Sequence, residues 1–298
     1  MADLALTLIM AVWGSSFAIL RSLLGRSSAS PLLLVAVRMG IACALLAGFM
    51  LGTKAGRAQL RALRGGLLRD GVFAGALLGL GFLFQTEGLS RTTASRSGFL
   101  TGTLVVLTPL IEFAFFRKRP APPALAGVLL AFAGMTALSA PWSDAAQATA
   151  TGDALTLLCA VVFAGQIVVL GRVAARHPVL PLLLLQLATT FAVAAVAGPL
   201  VERQHFSGEP RLWLALVYLA VFATLLAFGI QTWAQKILPP VRVALISSLE
   251  PVFAALWAAL LIGERLTLRE LLGGSLIVVG VVVGEVGAAF RALKRAVG

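Results

Sequence analysis

The sequence predicts an all-α polytopic membrane protein: ten transmembrane helices forming two inverted five-helix repeats around a central cavity. Three observations lead there. Of 298 residues, 59% are apolar and 12% charged, against roughly half and a quarter in soluble domains. Mean hydropathy is +0.98, and several apolar runs approach or exceed the roughly 18–20 residues that cross a bilayer as helix. The chain also repeats itself. Phe82-Leu83-Phe84-Gln85-Thr86 returns as Phe228-Gly229-Ile230-Gln231-Thr232, 146 residues later. The same offset pairs Ala74 with Ala220, Arg96 with Arg242, Gly127 with Gly273 and Gly134 with Gly280, while Pro31 and Pro181 match at an offset of 150.

The first span, 3–24, contains Trp13-Gly14-Ser15-Ser16 and lacks the basic start of a cleaved signal, so it reads as a membrane helix. The second, 31–53, is entered through Ser27-Ser28-Ala29-Ser30-Pro31, with a proline where a helix tolerates it. The third and fourth are expected at 70–90 and 95–116, and the fifth, 122–141, begins at Pro122-Pro123. Trp142 to Thr151 is polar and short in side chain, and reads as the linker between a repeat at 1–145 and a second at 146–298. That second repeat holds spans at 152–173, 179–201, 211–235, 240–262 (opened by Pro239-Pro240) and 269–290. Because five is odd, the second copy enters the membrane upside down. Inverted repeats of that kind place a site at their interface, near the midplane.

A net charge of +12 would fit nucleic acid, but nearly all the cations lie in loops between apolar runs, and there is no soluble basic domain to bind it. With the N-terminus inside, the cytoplasmic loops hold 15 cations and the outer loops 8, which predicts both termini in the cytoplasm. Cys43 and Cys159 sit inside apolar runs and do not form a disulfide framework.

An amide in hydrocarbon must find a partner or face water. On their helices Phe82 shares a face with Gln85, and Phe228 with Gln231. At the 150 offset Trp13 falls on Phe163 and Ser16 on Gln166, so each copy sets an aromatic plate beside a hydrogen-bonding group. Such walls suit amphipathic ligands, the rings giving affinity and the polar groups orientation. The plainer alternative is helix–helix glue, worth only about 0.6 kcal/mol per bond. The fourth and ninth spans are rich in small and hydroxyl residues, Ser247 among them, and contain Pro109 and Pro251. An inner proline frees a carbonyl, so both are read as helix-bending elements.

Glu250 lies inside the ninth span, where an acid must be paired, hydrated or protonated. It could take a proton for coupling or attract a substrate ammonium, or serve a structural salt bridge. Arg38 and Glu112 are also intramembrane and are expected to pair with each other. Glu87 and Glu285 lie nearer span ends, where snorkelling suffices. No metal-ligand spacing, nucleotide loop or catalytic set appears, so neither an enzyme nor a cofactor is expected.

Taken together, these residues resemble the drug/metabolite transporter superfamily, EamA-type. Leu249-Glu250-Pro251-Val252-Phe253, then Leu260-Leu261-Ile262-Gly263-Glu264-Arg265-Leu266 and Gly273, Gly274 and Gly280, match its best-known pattern. The first copy matches through Thr92-Thr93-Ala94-Ser95, Gly98-Phe99-Leu100-Thr101 and Thr108-Pro109-Leu110, and Trp13-Gly14-Ser15-Ser16-Phe17 is a familiar run of the family. It departs at Arg117-Lys118-Arg119-Pro120, where the second copy has Gly-Glu-Arg. Within the superfamily the chain looks most like the YddG-type exporters of aromatic and other amino acids. That resemblance implies a basket of spans one, three, four, six, eight and nine, with outward movement of substrate by alternating access. The expected ligand contacts are then Trp13, Phe82, Phe163 and Phe228 for rings, and Ser16, Gln85, Gln166, Gln231 and Ser247 for polar groups, with Glu250 for an ammonium or a proton. Export of drugs or nucleosides, exchange of phosphate esters, and a membrane-embedded enzyme or scaffold are the alternatives.

Overall fold

Helix is nearly the only structure this chain forms. The computed structural model describes residues 1–24, 29–92, 94–139, 149–262 and 266–297. Ser27, Ser28, Thr93, the linker residues 142–148 with the boundary between the two halves, and Gly263, Glu264 and Arg265 lie outside the described residues. Among the described residues nine helices are long and apolar enough to cross a membrane. The first helix, Ala2–Leu24, has 23 residues and is apolar over Ala2–Ser16. At 1.5 Å per residue it reaches about 34 Å, a bilayer's width. The only β-type pairing among the described residues is an isolated bridge, Ala29 to Phe206. The chain is thus a multi-pass membrane protein.

The third span is longer at its start than expected, Gly66–Leu89. A short amphipathic helix, Lys54–Arg61, precedes it, entered where the Thr53 hydroxyl accepts from the Gly56 N–H at 3.0 Å. The fourth span divides into Ala94–Gly102 and Leu104–Phe116, and the ninth into Pro240–Ser247 and Glu250–Ile262. These interruptions do not fall where the prolines alone would put them. Pro109 sits six residues beyond the break at Thr103, and Pro251 stands in the first turn of the new helix, where its missing N–H is harmless. The breaks themselves, Thr103 and Leu249, are 146 residues apart. Pro109 instead maps to Ala255 and Pro251 to Val105, so the prolines are not equivalent although the bends are. The eighth span passes from Pro210–Ala220 through a π-helical stretch, Val221–Leu226, into Ala227–Ala234.

Contacts between the halves recur with the copies exchanged. The first span packs on the eighth and ninth, as the sixth packs on the third and fourth. The second lies against the seventh, and the fifth against the tenth, Leu268–Val297. In that last pair Gly127 faces Gly280 and Gly134 faces Gly273, so closely that a Cβ at Gly127 or Gly134 would lie 2.5 or 2.6 Å from the opposing carbonyl oxygen. Since 127 maps to 273 and 134 to 280, each glycine meets the image of the other. A two-fold axis crossing an antiparallel helix pair makes that pattern.

Ion pairs follow the same exchange. Arg242 of the ninth span holds Asp3 of the first at 2.9 Å and also binds Glu285. Its image, Arg96 of the fourth span, holds Asp153 of the sixth at 2.7 Å. Glu87 is bridged by Arg91 one turn on. The expected pairing of Arg38 with Glu112 does not form. Glu112 takes Lys118 at 3.3 Å, a nearer cation from the turn that follows its own helix.

Candidate functional site

Four rings from four spans form one continuous chain between the halves. Trp13 and Phe228 lie 5.3 Å apart between centroids, tilted by 55°. Phe228 meets Phe82 edge-on at 6.2 Å, and Phe82 meets Phe163 edge-on at 5.6 Å. Edge-to-face pairs set the positive rim of one ring against the negative face of the next. Under the repeat offsets Trp13 exchanges with Phe163 and Phe82 with Phe228, so the chain maps onto itself reversed. These are the four aromatic residues that the sequence singles out, and the structure brings them together.

Local features hold the chain in place. The Trp13 indole N–H donates to the Ala223 carbonyl at 2.8 Å, inside the π-helical stretch of the eighth span. Opening the α-helical ladder is what makes such a carbonyl available to a side chain. Phe163 packs closely on the third span because residue 81 is glycine: a Cβ there would stand 2.2 Å from the Phe163 ring. Val35, Met39, Leu78, Leu183 and Leu187 are buried against the rings.

The polar residues divide. Gln85 is half-buried one turn from Phe82, and its side chain makes no hydrogen bond among the described residues. Gln231 is only 5% exposed, and its Oε1 has no partner among the described residues. Gln166, 2% exposed, donates instead to Gln186 at 3.3 Å, and Gln186 donates to Thr232 at 3.3 Å. That relay ties the sixth, seventh and eighth spans together and spends the Gln166 amide on packing. Ser16 and Ser247 turn back to carbonyls of their own helices, Trp13 at 2.7 Å and Val243 at 2.9 Å. Glu250 opens the second piece of the ninth span, half-buried, its carboxylate in no ion pair or hydrogen bond among the described residues. The adjoining turn is pressed on the first span: a Cβ at Gly14 would lie 2.8 Å from the Ala254 nitrogen, and the Trp257 indole donates to the Ala11 carbonyl at 2.8 Å.

Sequence reasoning passed over Gln186 and Tyr218 and gave Arg38 the wrong neighbour. Gln186 obeys the same rule as the other intramembrane amides and was legible on that ground. Tyr218, the one tyrosine of the chain, lies 2.7 Å from the Ser15 hydroxyl. Arg38 reaches the rings: its guanidinium carbon is 4.6 Å from the Phe82 centroid. Neither long-range contact leaves a trace in spacing.

A family model described as the EamA-like transporter family matches residues 1–140 and 150–284. An uncharacterized transporter of Archaeoglobus fulgidus is 32% identical over 284 residues, covering 95% of this chain and 85% of that protein. A probable amino-acid metabolite efflux pump of Salmonella typhimurium is 27% identical, covering 98% and 97%. The uncharacterized inner membrane transporter YicL of the same organism is 28% identical, covering 93% and 92%. A crystal structure at 22% identity superposes with a TM-score of 0.79 over 95% of this chain and 96% of the other, a likeness of fold. The chain belongs to the EamA-like transporter family.

Proposed function

From that membership we propose that this protein exports small amphipathic metabolites, aromatic and other amino acids first among them, across an inner membrane by alternating access. The two halves act as inverted copies, both termini face the cytoplasm, and the four-ring chain lines the cavity between the copies. The observation that carries the reading is that chain. It joins residues of four spans, and it is unchanged when the two copies exchange places. An exporter must hold its cargo in an inward-open and an outward-open state, and a wall common to both copies serves each state alike. The name of the Salmonella efflux pump points to the same class of cargo.

In this reading Trp13, Phe82, Phe163 and Phe228 contact apolar or ring portions of the substrate, Gln85 and Gln231 offer unspent amide groups, and Glu250 meets an ammonium or a proton. Ser16, Gln166 and Ser247 are already bonded within the protein and serve as wall. Counterflow of labelled phenylalanine or tryptophan in proteoliposomes, with and without a pH gradient, tests the proposal. Saturable exchange is expected; folded protein that exchanges no amino acid rules it out. Glu250→Gln separates the roles of the acid, since a variant keeping both its rate and its pH dependence makes Glu250 structural.

A further inference from the structure

We infer that Arg38 is the carboxylate-binding residue of the cavity, so that the preferred cargo is an aromatic acid or amino acid and not an aromatic amine. The inference rests on the transport reading above and narrows it to a substrate class.

Arg38 lies in the middle of the second span, Pro31–Gly52, and is 6% exposed. The second span stands outside the six-span basket that the family resemblance implies, but the guanidinium reaches its ring wall and stacks over Phe82, the ring that joins Phe163 to Phe228. Its Nε is buried and has no hydrogen-bond partner among the described residues. A guanidinium in so apolar a setting needs an anion, because a ring face replaces only part of the lost hydration. The protein commits its span acids elsewhere: Glu112 to Lys118, Asp70 to His177, Glu87 to Arg91, Asp153 to Arg96, and Asp3 and Glu285 to Arg242. The described acid left inside a span without a partner is Glu250, which suits a cation and not an anion. A planar guanidinium matches a carboxylate in bidentate fashion, and its place on Phe82 would set that carboxylate beside the ring chain. A zwitterionic aromatic amino acid thus finds a ring wall, a cation and an acid, each unspent within the protein.

The test is inhibition of tryptophan counterflow by indole-3-propionate, which keeps the carboxylate, and by tryptamine, which lacks it. Wild type, Arg38→Lys and Arg38→Gln are compared, each monodisperse by size exclusion. In wild type indole-3-propionate is expected to compete at least tenfold better than tryptamine. Arg38→Lys should shrink that preference and Arg38→Gln abolish it, with tryptamine competing as well as before. A preference that survives in Arg38→Gln, or that wild type never shows while transporting tryptophan, overturns the assignment and leaves the exporter reading standing. If wild type exchanges no amino acid, the exporter reading fails and the assignment fails with it.

Discussion

Gly127→Ala probes the contact between the fifth and tenth spans, where the two copies meet back to back. The new methyl would stand 2.5 Å from the Gly280 carbonyl oxygen and 3.2 Å from Gly284 Cα. Neither atom can swing aside as a side-chain tip could. Ordinary contact begins near 3.5 Å, so the helices must part by roughly 0.5–1 Å, and the cost of such overpacking is about 1–3 kcal/mol. Gly280→Ala meets the same seam from the other side, 2.7 Å from the Gly127 oxygen and 2.8 Å from the Ala131 nitrogen. Once either alanine has opened the gap, the second finds room. The double variant should therefore cost less than the sum of the singles by about 0.5 kcal/mol or more. Gly48→Ala is the control: nothing lies within 4 Å of its Cβ position, so helix propensity alone makes it neutral or stabilising by up to about 1 kcal/mol. Thermal melting of the detergent-purified protein reads all four variants. If Gly127→Ala melts with wild type, or the double variant falls by the full sum of the singles, the seam is not the close crossing described.

Gly81→Ala should push Phe163 off the third span, weakening tryptophan binding several-fold under the proposed reading while Gly48→Ala leaves it unchanged; titration calorimetry compares the two. Asp153→Asn and Asp3→Asn loosen image ion pairs at opposite ends of the bundle. Each should cost about 1 kcal/mol or less, because the partners are partly solvated. Membrane-impermeant maleimide labelling of Ser16→Cys should then rise from opposite sides of the membrane, and a rise from the same side in both variants would contradict the exchange symmetry. Glu202 accepts from the N–H groups of Leu32 and Leu33 at 2.9 and 3.2 Å, where the second span begins. Burial nevertheless pushes its carboxyl above the ordinary glutamate value, the two N–H donors offsetting only part of that. The folded state therefore holds the proton more tightly than the unfolded, and this stabilisation is lost as pH rises from the unfolded value through the folded one. Glu202→Gln keeps an acceptor without the charge and should flatten the melting temperature across that window, whereas Glu202→Ala should lower it at every pH.

The number and order of the spans were legible because twenty apolar residues in succession have few other uses. The members of the aromatic chain were legible for a different reason: duplication leaves equivalent residues at a fixed offset, and those nearest the axis, Phe82 and Phe228, meet across it. The same offset named the four glycines but not their partners. It pairs Gly127 with Gly273, whereas the structure sets Gly127 against Gly280, because a residue on a two-fold axis meets its own image and one displaced along the helix meets the image of another. Hydrogen-bond state was out of reach. Gln166 and Gln231 look alike in sequence, yet one amide is consumed by Gln186 and the other keeps an unpartnered oxygen. Which amide meets a partner depends on how each helix is turned about its axis, a matter of a few degrees that apolar periodicity in a bundle nearly apolar all round does not fix.

A ring chain that maps onto itself has a consequence for cargo. On rings alone, a substrate would lie equally well in either of two opposed orientations. Orientation has to come from residues that break the symmetry, and the two unspent charges do. Arg38 maps to Ala188 at the 150 offset, and Glu250 maps to Leu104 at 146. In the proposed cavity the duplicated part of the site supplies affinity in both open states, and the unduplicated part decides which end of the molecule goes where. Placing an arginine at Ala188 while removing Arg38 should then restore carboxylate preference with the cargo reversed. With Glu250 as the proposed ammonium site opposite Arg38, that orientation leaves the ammonium at the wrong end, so Arg38→Gln/Ala188→Arg should favour indole-3-propionate over tryptophan. Competition counterflow measures that ratio, and a variant that still prefers the zwitterion would show that the ring chain is not the axis about which substrate is held.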